Sequence, residues 1–130
     1  HPKITKSLVD QAHRLTLTSR AFYNNVLGEY EKYMSEYFGF DKVLPMNSGA
    51  EAVETALKIT RKWAYEKKGI AENEAKIIVC ENNFHGRTTT IISFSNDPVA
   101  RKNFGPYTDG FIKVEYDDLQ ELESVKPGCG

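Results

Sequence analysis

An abrupt change of pattern between residues 43 and 54 constrains the fold of this chain more than any other feature. The apolar run Val43–Met46 stops just before Ser48–Gly49, and a long pattern with helical spacing follows at once. A glycine permits close approach to the backbone, and the first N–H groups of a helix lack intrahelical partners. The junction therefore predicts a strand, a turn and a helix, with an anion site formed by Ser48, Gly49 and Ala50.

The same junction also fits a simpler explanation. Ser48 followed three residues later by Glu51 is typical of a capping box, in which the two side chains satisfy backbone N–H groups. A capped helix needs no ligand, so both interpretations stay open at this point. A nucleotide is disfavoured, because the lysine of a Walker loop and the three glycines of a dinucleotide fingerprint are missing.

Helical and extended patterns alternate along the chain. The run at 77–80 is apolar throughout, as in a strand that is buried on both faces. This alternation indicates an α/β fold with a mainly parallel sheet flanked by helices. Spacing predicts helices over about 3–15, 24–38, 49–67 and 119–125, strands over 42–46, 77–80 and 111–114, and either form over 88–94.

Composition excludes several classes of protein. Apolar residues make up 40% of the chain and charged residues 27%, with a net charge of −1, which is ordinary for a globular protein and gives no hint of a nucleic-acid partner. No apolar run approaches the roughly 20 residues of a membrane span. Cys80 and Cys129 have no ligand spacing, so we expect free thiols. The chain lacks an initiator methionine and closes on a turn-rich exit, so we expect a segment of a longer protein.

A second motif, Asn83–Arg87, follows the predicted strand 77–80 at its carboxyl end, where ligands bind in open α/β sheets. Phe84 and His85 can stack on a planar aromatic ligand, and Arg87 can clamp a carboxylate bidentately. The alternatives are core packing for Phe84, a structural role for His85 and a surface ion pair for Arg87.

A third motif, Ser19–Tyr23, places a guanidinium and a phenol on a segment without regular pattern. It suggests substrate contact, or else a loop that packs its aromatic side chains. Together the motifs supply a phosphate site, aromatic side chains that can stack on a ligand and a guanidinium that can bind a carboxylate. They contain no nucleophile–base pair and no metal cluster. That combination suits a flat, phosphorylated cofactor with its own reactivity, such as pyridoxal 5′-phosphate.

These stretches resemble the class III, fold-type I pyridoxal-phosphate-dependent aminotransferases. The matching stretches run in family order and with family spacing over nearly the whole chain, and they include Leu15–Asn25, Val43–Thr55 and Asn83–Thr88. Asn-Ser-Gly-Ala-Glu-Ala is specific to the class, whereas Ser-Arg-Ala-Phe-Tyr narrows the resemblance to the ornithine aminotransferases. The resemblance implies that residues 1–40 form a helical, substrate-contacting linker from a small N-terminal domain, and that 41–130 begin the large cofactor domain.

The resemblance also assigns roles to the cofactor residues. It implies that Ser48, Gly49 and Ala50 hold the phosphate of pyridoxal phosphate and that Phe84 stacks on its pyridine ring. His85 stands beside that ring, where some relatives carry tryptophan.

For the substrate, the resemblance implies that Arg87 takes a carboxylate and that Tyr23 orients ornithine. The implied reaction is δ-transamination of L-ornithine with 2-oxoglutarate, giving glutamate 5-semialdehyde and glutamate, in a homodimer or higher assembly. No catalytic residue is expected in this segment, because the Schiff-base lysine is expected beyond residue 130. The compartment is expected to be the bacterial cytoplasm, or the mitochondrial matrix or cytosol in a eukaryote. The alternatives are a class III enzyme for acetylornithine or 4-aminobutyrate, and a non-catalytic module that binds a phosphorylated ligand.

Overall fold

The computed structural model describes residues 1–19 and 21–125, which form two compact units. The first unit, His1–Leu44, contains the helices α1 (Pro2–Ala12) and α2 (Leu27–Phe38). None of the helices in the described ranges is long and apolar enough to cross a membrane. The second unit begins at Pro45 and contains α3 (Gly49–Glu66), β1 (Ile77–Cys80), α4 (Thr89–Ser93), α5 (Pro98–Arg101), β2 (Phe111–Val114) and α6 (Leu119–Ser124).

The two strands of the second unit are parallel, with Ile77 opposite Phe111 and Cys80 opposite Val114. A parallel pair requires a crossover connection, and α4 and α5 lie within it. The α/β prediction is therefore confirmed. Strand β1 is only half-buried along its length, because Ile77 and Val79 pack against a helical core while the alternate side chains face the other side of the sheet.

The core of the second unit lies between α3, α4 and the sheet. Leu57 of α3 packs with Ile91 and Phe94, and the Phe94 and Phe111 ring centroids are 4.5 Å apart. The ambiguous segment 88–94 is thus helical in its middle, since a helical turn buries Ile91 and Phe94 together. This core lies directly beneath the loop that follows β1.

Helix boundaries in the first unit follow local side-chain bonds. The Asn24 side chain accepts the N–H of Val26 at 2.9 Å, and this turn delays the start of α2 to Leu27. Helix α2 ends at Phe38 and is followed by Gly39, which has a φ of 73° and adopts the left-handed conformation that glycine commonly takes after a helix.

The predicted strand at 42–46 is wrong. These residues form no ladder with any part of the chain that the structure describes. Pro45 has no N–H to donate, and an extended segment without a partner strand gains no ladder hydrogen bonds. The thiol of Cys80 is free and half-buried, whereas Cys129 and Arg20 lie outside the described residues.

Candidate active site

Helix α3 begins with the predicted capping box. The Ser48 Oγ accepts the N–H of Glu51 at 3.3 Å. The Glu51 carboxylate in turn accepts the N–H of Asn47 at 2.9 Å, one residue before the position that a standard capping box uses. The capping interpretation is therefore confirmed, and it uses the N–H groups of residues 47 and 51.

The cap leaves the intervening donors available. The N–H groups of Gly49 and Ala50 donate no hydrogen bond to any residue that the structure describes. A Cβ at Gly49 would meet nothing within 4 Å, so the space in front of it is open. The Ser48 hydroxyl accepts a bond but keeps its own proton to donate. With the helix dipole behind them, these three groups fit a phosphate, and we call Ser48, Gly49 and Ala50 the cradle.

The loop after β1 lies against the cradle. A Cβ at Gly86 would be 2.9 Å from the Cβ of Ala50 and 3.3 Å from the Cδ1 of Ile91, and Gly86 has a φ of +130°. Only glycine adopts this backbone conformation readily and permits so close an approach. Residues 81–88, which we call the clamp loop, are thereby held at the start of α3.

Side-chain amides fix the base of the clamp loop. Asn83 Nδ2 donates to the carbonyl of Cys80 at 2.6 Å and to that of Phe94 at 3.2 Å. Asn96 Nδ2 donates to the Glu81 carboxylate, and its Oδ1 accepts the N–H of Asn82 at 3.2 Å. The loop is therefore tied to the strand before it and to Phe94 and Asn96, which follow α4.

The clamp loop presents its three predicted site residues at the surface. Phe84 is 75% exposed, so core packing does not explain it. The His85 ring centroid lies 6.0 Å from that of the buried Phe94, which ties the imidazole to the core edge. Arg87 is exposed and forms no ion pair with any described residue, so the surface ion pair considered above is not observed.

Phe84 lines two cavities. The first, of about 420 Å³, is largely apolar and is also lined by Arg87, Ile92 and Phe104. The second, of about 490 Å³, is also lined by His85 and by Tyr116, which lies just beyond β2. Neither cavity is lined by the cradle residues. In the described ranges, no group of three or more His, Cys, Asp or Glu side chains is placed to hold a metal ion.

Tyr23 belongs to the first unit. Its side chain is fully exposed, and the neighbouring Phe22 is 73% exposed, so this segment does not pack its aromatic residues within that unit. The Ser19 Oγ accepts the N–H of Ala21 at 3.3 Å and stabilises the turn.

Two further residues of the second unit, Glu54 and Thr88, join the clamp loop to α3, although none of the sequence motifs singles them out for this role. Glu54 of α3 accepts a hydrogen bond from the Thr88 hydroxyl, and Thr88 also caps α4 by accepting the N–H of Ile91 at 3.4 Å. Glu54 lies four residues after Ala50 and therefore on the same face of α3. This spacing is the one feature of the sequence that indicates that Glu54 faces the site.

Comparison with known proteins shows similarity to aminotransferases. The model of the family described as "Aminotransferase class-III" matches residues 1–128. The chain is 58% identical over 125 residues to an ornithine aminotransferase, named as mitochondrial, from Drosophila ananassae, covering 96% of this chain but 29% of that relative.

Solved structures give matching results. The ornithine aminotransferase from Toxoplasma gondii, whose active site is partially occupied by pyridoxal phosphate, superposes with a TM-score of 0.91 at 54% identity, over 95% of this chain and 29% of that one. An acetylornithine aminotransferase from Elizabethkingia anophelis superposes with a TM-score of 0.70 at 55% identity, over 95% of this chain and 26% of that one. The chain thus spans less than a third of the length of each of these relatives, and it belongs to the class-III aminotransferase family.

Proposed function

We propose that this chain is part of a pyridoxal-phosphate-dependent aminotransferase that transfers the δ-amino group of L-ornithine to 2-oxoglutarate. One observation carries the proposal: Ala50, which like Gly49 has an unpaired N–H group at the start of α3, packs against Gly86 of the clamp loop. A phosphate site and a loop with an aromatic ring and a guanidinium are thereby brought together. The names of the relatives from Drosophila ananassae and Toxoplasma gondii support ornithine as the substrate.

The cradle binds the cofactor phosphate in this proposal. The N–H groups of Gly49 and Ala50 and the hydroxyl of Ser48 donate to phosphate oxygens, and the dipole of the 18-residue helix α3 favours the negative charge. Phe84 stacks on the pyridine ring and His85 lies beside it. When bound, pyridoxal phosphate supplies an aldehyde that exchanges amino groups and a ring that withdraws electrons from the reacting carbon.

The substrate is held by two further side chains. Arg87 binds a substrate carboxylate through two parallel N–H···O bonds, which fixes both its distance and its plane. The phenol of Tyr23 donates to a polar group of ornithine and selects its orientation. Proton transfer and covalent attachment of the cofactor are assigned to residues beyond this chain, in line with the Schiff-base lysine expected after residue 130.

Assembly and location form part of the same proposal. We assign the active enzyme as a homodimer or a higher assembly, and the exposed aromatic side chains of Tyr30, Tyr33 and Tyr37 on α2 support a subunit contact there. The residues 1–40 then form the linker from a small N-terminal domain. In a eukaryotic source the compartment is the mitochondrial matrix or the cytosol, and in a bacterium the cytoplasm.

The direct test uses the full-length protein that contains this chain. After addition of pyridoxal phosphate it is expected to show the visible absorption of the bound cofactor, and ornithine is expected to bleach it. 2-Oxoglutarate should then restore the band and release glutamate. A protein that stays colourless would instead support a non-catalytic module that binds a phosphorylated ligand.

Tyr23 discriminates ornithine from the substrates of related enzymes. Tyr23→Phe removes one hydrogen bond to a charged group, worth about 1.5–3 kcal/mol, and should lower kcat/KM for ornithine about 10- to 160-fold. Activity with acetylornithine and 4-aminobutyrate should change less. Tyr65→Phe, which removes a hydroxyl near the end of α3 that forms no hydrogen bond within the described ranges, serves as the control. An equal loss for all three amino donors would contradict the assignment of Tyr23 to ornithine.

A further inference from the structure

Two contacts join the clamp loop to α3, and they lie one helical turn apart. In the first, Gly86 packs against Ala50 of the cradle. In the second, the Thr88 hydroxyl donates to the Glu54 carboxylate. Because Ala50 and Glu54 are four residues apart, they lie on the same face of the helix. The clamp loop is therefore attached along this face at two successive turns.

Thr88 uses both of its hydrogen-bonding functions in this attachment. Its hydroxyl proton goes to Glu54, while its oxygen accepts the N–H of Ile91 at 3.4 Å and begins α4. Glu54 is half-buried and forms no ion pair within the described ranges. A carboxylate acceptor makes the bond charge-assisted and therefore stronger than a bond between neutral groups.

Arg87 lies between the two contacts. Its neighbours Gly86 and Thr88 are both fixed to α3, so the backbone of Arg87 is held on each side. Its guanidinium is exposed and makes no hydrogen bond to any described residue. The loop thus fixes where the side chain begins and leaves its charged group available for a ligand.

We propose that Glu54 is a positioning residue, which acts through Thr88 to set the distance between Arg87 and the cradle. This inference rests on the proposed function, because it takes the cradle to hold the cofactor and Arg87 to hold a substrate carboxylate. A substrate must reach both at once, and a displacement of about 1 Å in such an arrangement can cost about 100-fold in rate. Loss of the Glu54–Thr88 bond therefore weakens substrate binding more than cofactor binding.

The test compares Thr88→Val, Thr88→Ser and Glu54→Gln in the full-length protein loaded with pyridoxal phosphate. Valine keeps the shape of threonine without the hydroxyl, whereas serine keeps the hydroxyl. The probe is glutarate, a dicarboxylate that carries no amino or oxo group, and its Kd is measured by titration calorimetry. In Thr88→Val the Kd for glutarate and the KM for 2-oxoglutarate should rise about tenfold, because a displaced Arg87 no longer binds a carboxylate through two parallel N–H···O bonds.

The other variants separate positioning from a general structural role. Thr88→Ser should bind glutarate within about twofold of the wild type, and Glu54→Gln should be intermediate because a neutral acceptor remains. The double variant Glu54→Gln/Thr88→Val should be no worse than Thr88→Val alone, since the bond is already broken. Glu66→Gln, at an exposed pair with Lys62 near the end of α3, should leave glutarate binding unchanged.

Each outcome has a distinct meaning. An unchanged Kd for glutarate in Thr88→Val and Glu54→Gln, with the cofactor absorption present in the wild type, would overturn the inference and leave the proposed function intact. Equal losses of glutarate affinity, cofactor absorption and Tm in Thr88→Val and Thr88→Ser would mark the pair as merely structural and overturn it as well. A wild-type protein without the cofactor absorption would refute the proposed function, and the inference with it.

Discussion

The contact between the clamp loop and the cradle predicts a large effect for the substitution Gly86→Ala. The φ of +130° at Gly86 lies in a region that is essentially restricted to glycine, and the strain for another residue is about 1–3 kcal/mol. The added Cβ would also lie 2.9 Å from the Cβ of Ala50, an atom that no side-chain rotation can move away. Overpacking of this kind costs about 1–3 kcal/mol. The free energy of unfolding should therefore fall by about 2–6 kcal/mol.

The assay is urea unfolding of the full-length protein, with cofactor affinity as a second readout. The displaced loop should push against the start of α3 and distort the cradle. Pyridoxal phosphate should then bind more weakly, about tenfold for each 1.4 kcal/mol of binding free energy that the distortion removes. The double variant Ala50→Gly/Gly86→Ala removes the atom that clashes but not the backbone strain. It should recover about 1–3 kcal/mol of the free energy of unfolding lost in Gly86→Ala, less about 1 kcal/mol for a glycine in the helix.

Gly28→Ala is the matched control. Gly28 lies in the first turn of α2, and a Cβ there would meet nothing within 4 Å. This substitution should change the free energy of unfolding by no more than about 1 kcal/mol, in the stabilising direction. If Gly86→Ala is as harmless as Gly28→Ala, or if Ala50→Gly costs as much stability in the Gly86→Ala variant as in the wild type, the close approach of the clamp loop to the cradle is refuted.

Two further substitutions test the cradle and the core beneath it. Ser48→Ala removes the cap bond to Glu51 and should lower the free energy of unfolding by about 1 kcal/mol in urea titrations. It should also weaken pyridoxal phosphate binding in spectroscopic titrations. Ser48→Thr should preserve both the stability and the cofactor affinity. Unchanged values in Ser48→Ala would contradict this role. Phe94→Ala empties a site that is 1% exposed and packed against Phe111, and should cost about 3–5 kcal/mol, with Phe94→Leu costing less. A loss under about 1 kcal/mol in thermal or urea unfolding would show that this ring is not central to the core.

Sequence signals located those elements whose causes are local. Ser48 and Glu51 predicted the start of α3, and Ser48 is the N-cap of this helix in the structure. Gly39, a glycine directly after the helical pattern, is a local stop signal for α2, and its backbone is left-handed. The turn Asp97–Pro98 carries the same type of signal for α5, with Asp97 as the cap.

The secondary structure of two segments depends on partners that are distant in the sequence. Residues 42–46 have a strand-like pattern, but a strand exists only where another strand accepts and donates its bonds. Residues 88–94 fitted two periods equally, and burial of Ile91 and Phe94 against Leu57 decided for a helix. Neither outcome is encoded within the segment itself.

The sequence by itself determined the class of fold, the cradle residues and the resemblance to class III aminotransferases, because helix caps, glycines and apolar periods act over a few residues. Only the tertiary structure placed Gly86 against Ala50 and Thr88 against Glu54, residues separated by more than 30 positions along the chain. Such contacts depend on how the crossover between β1 and β2 packs on α3. The cradle residues can therefore be predicted from the sequence. The attachment of the clamp loop to them depends on the tertiary structure.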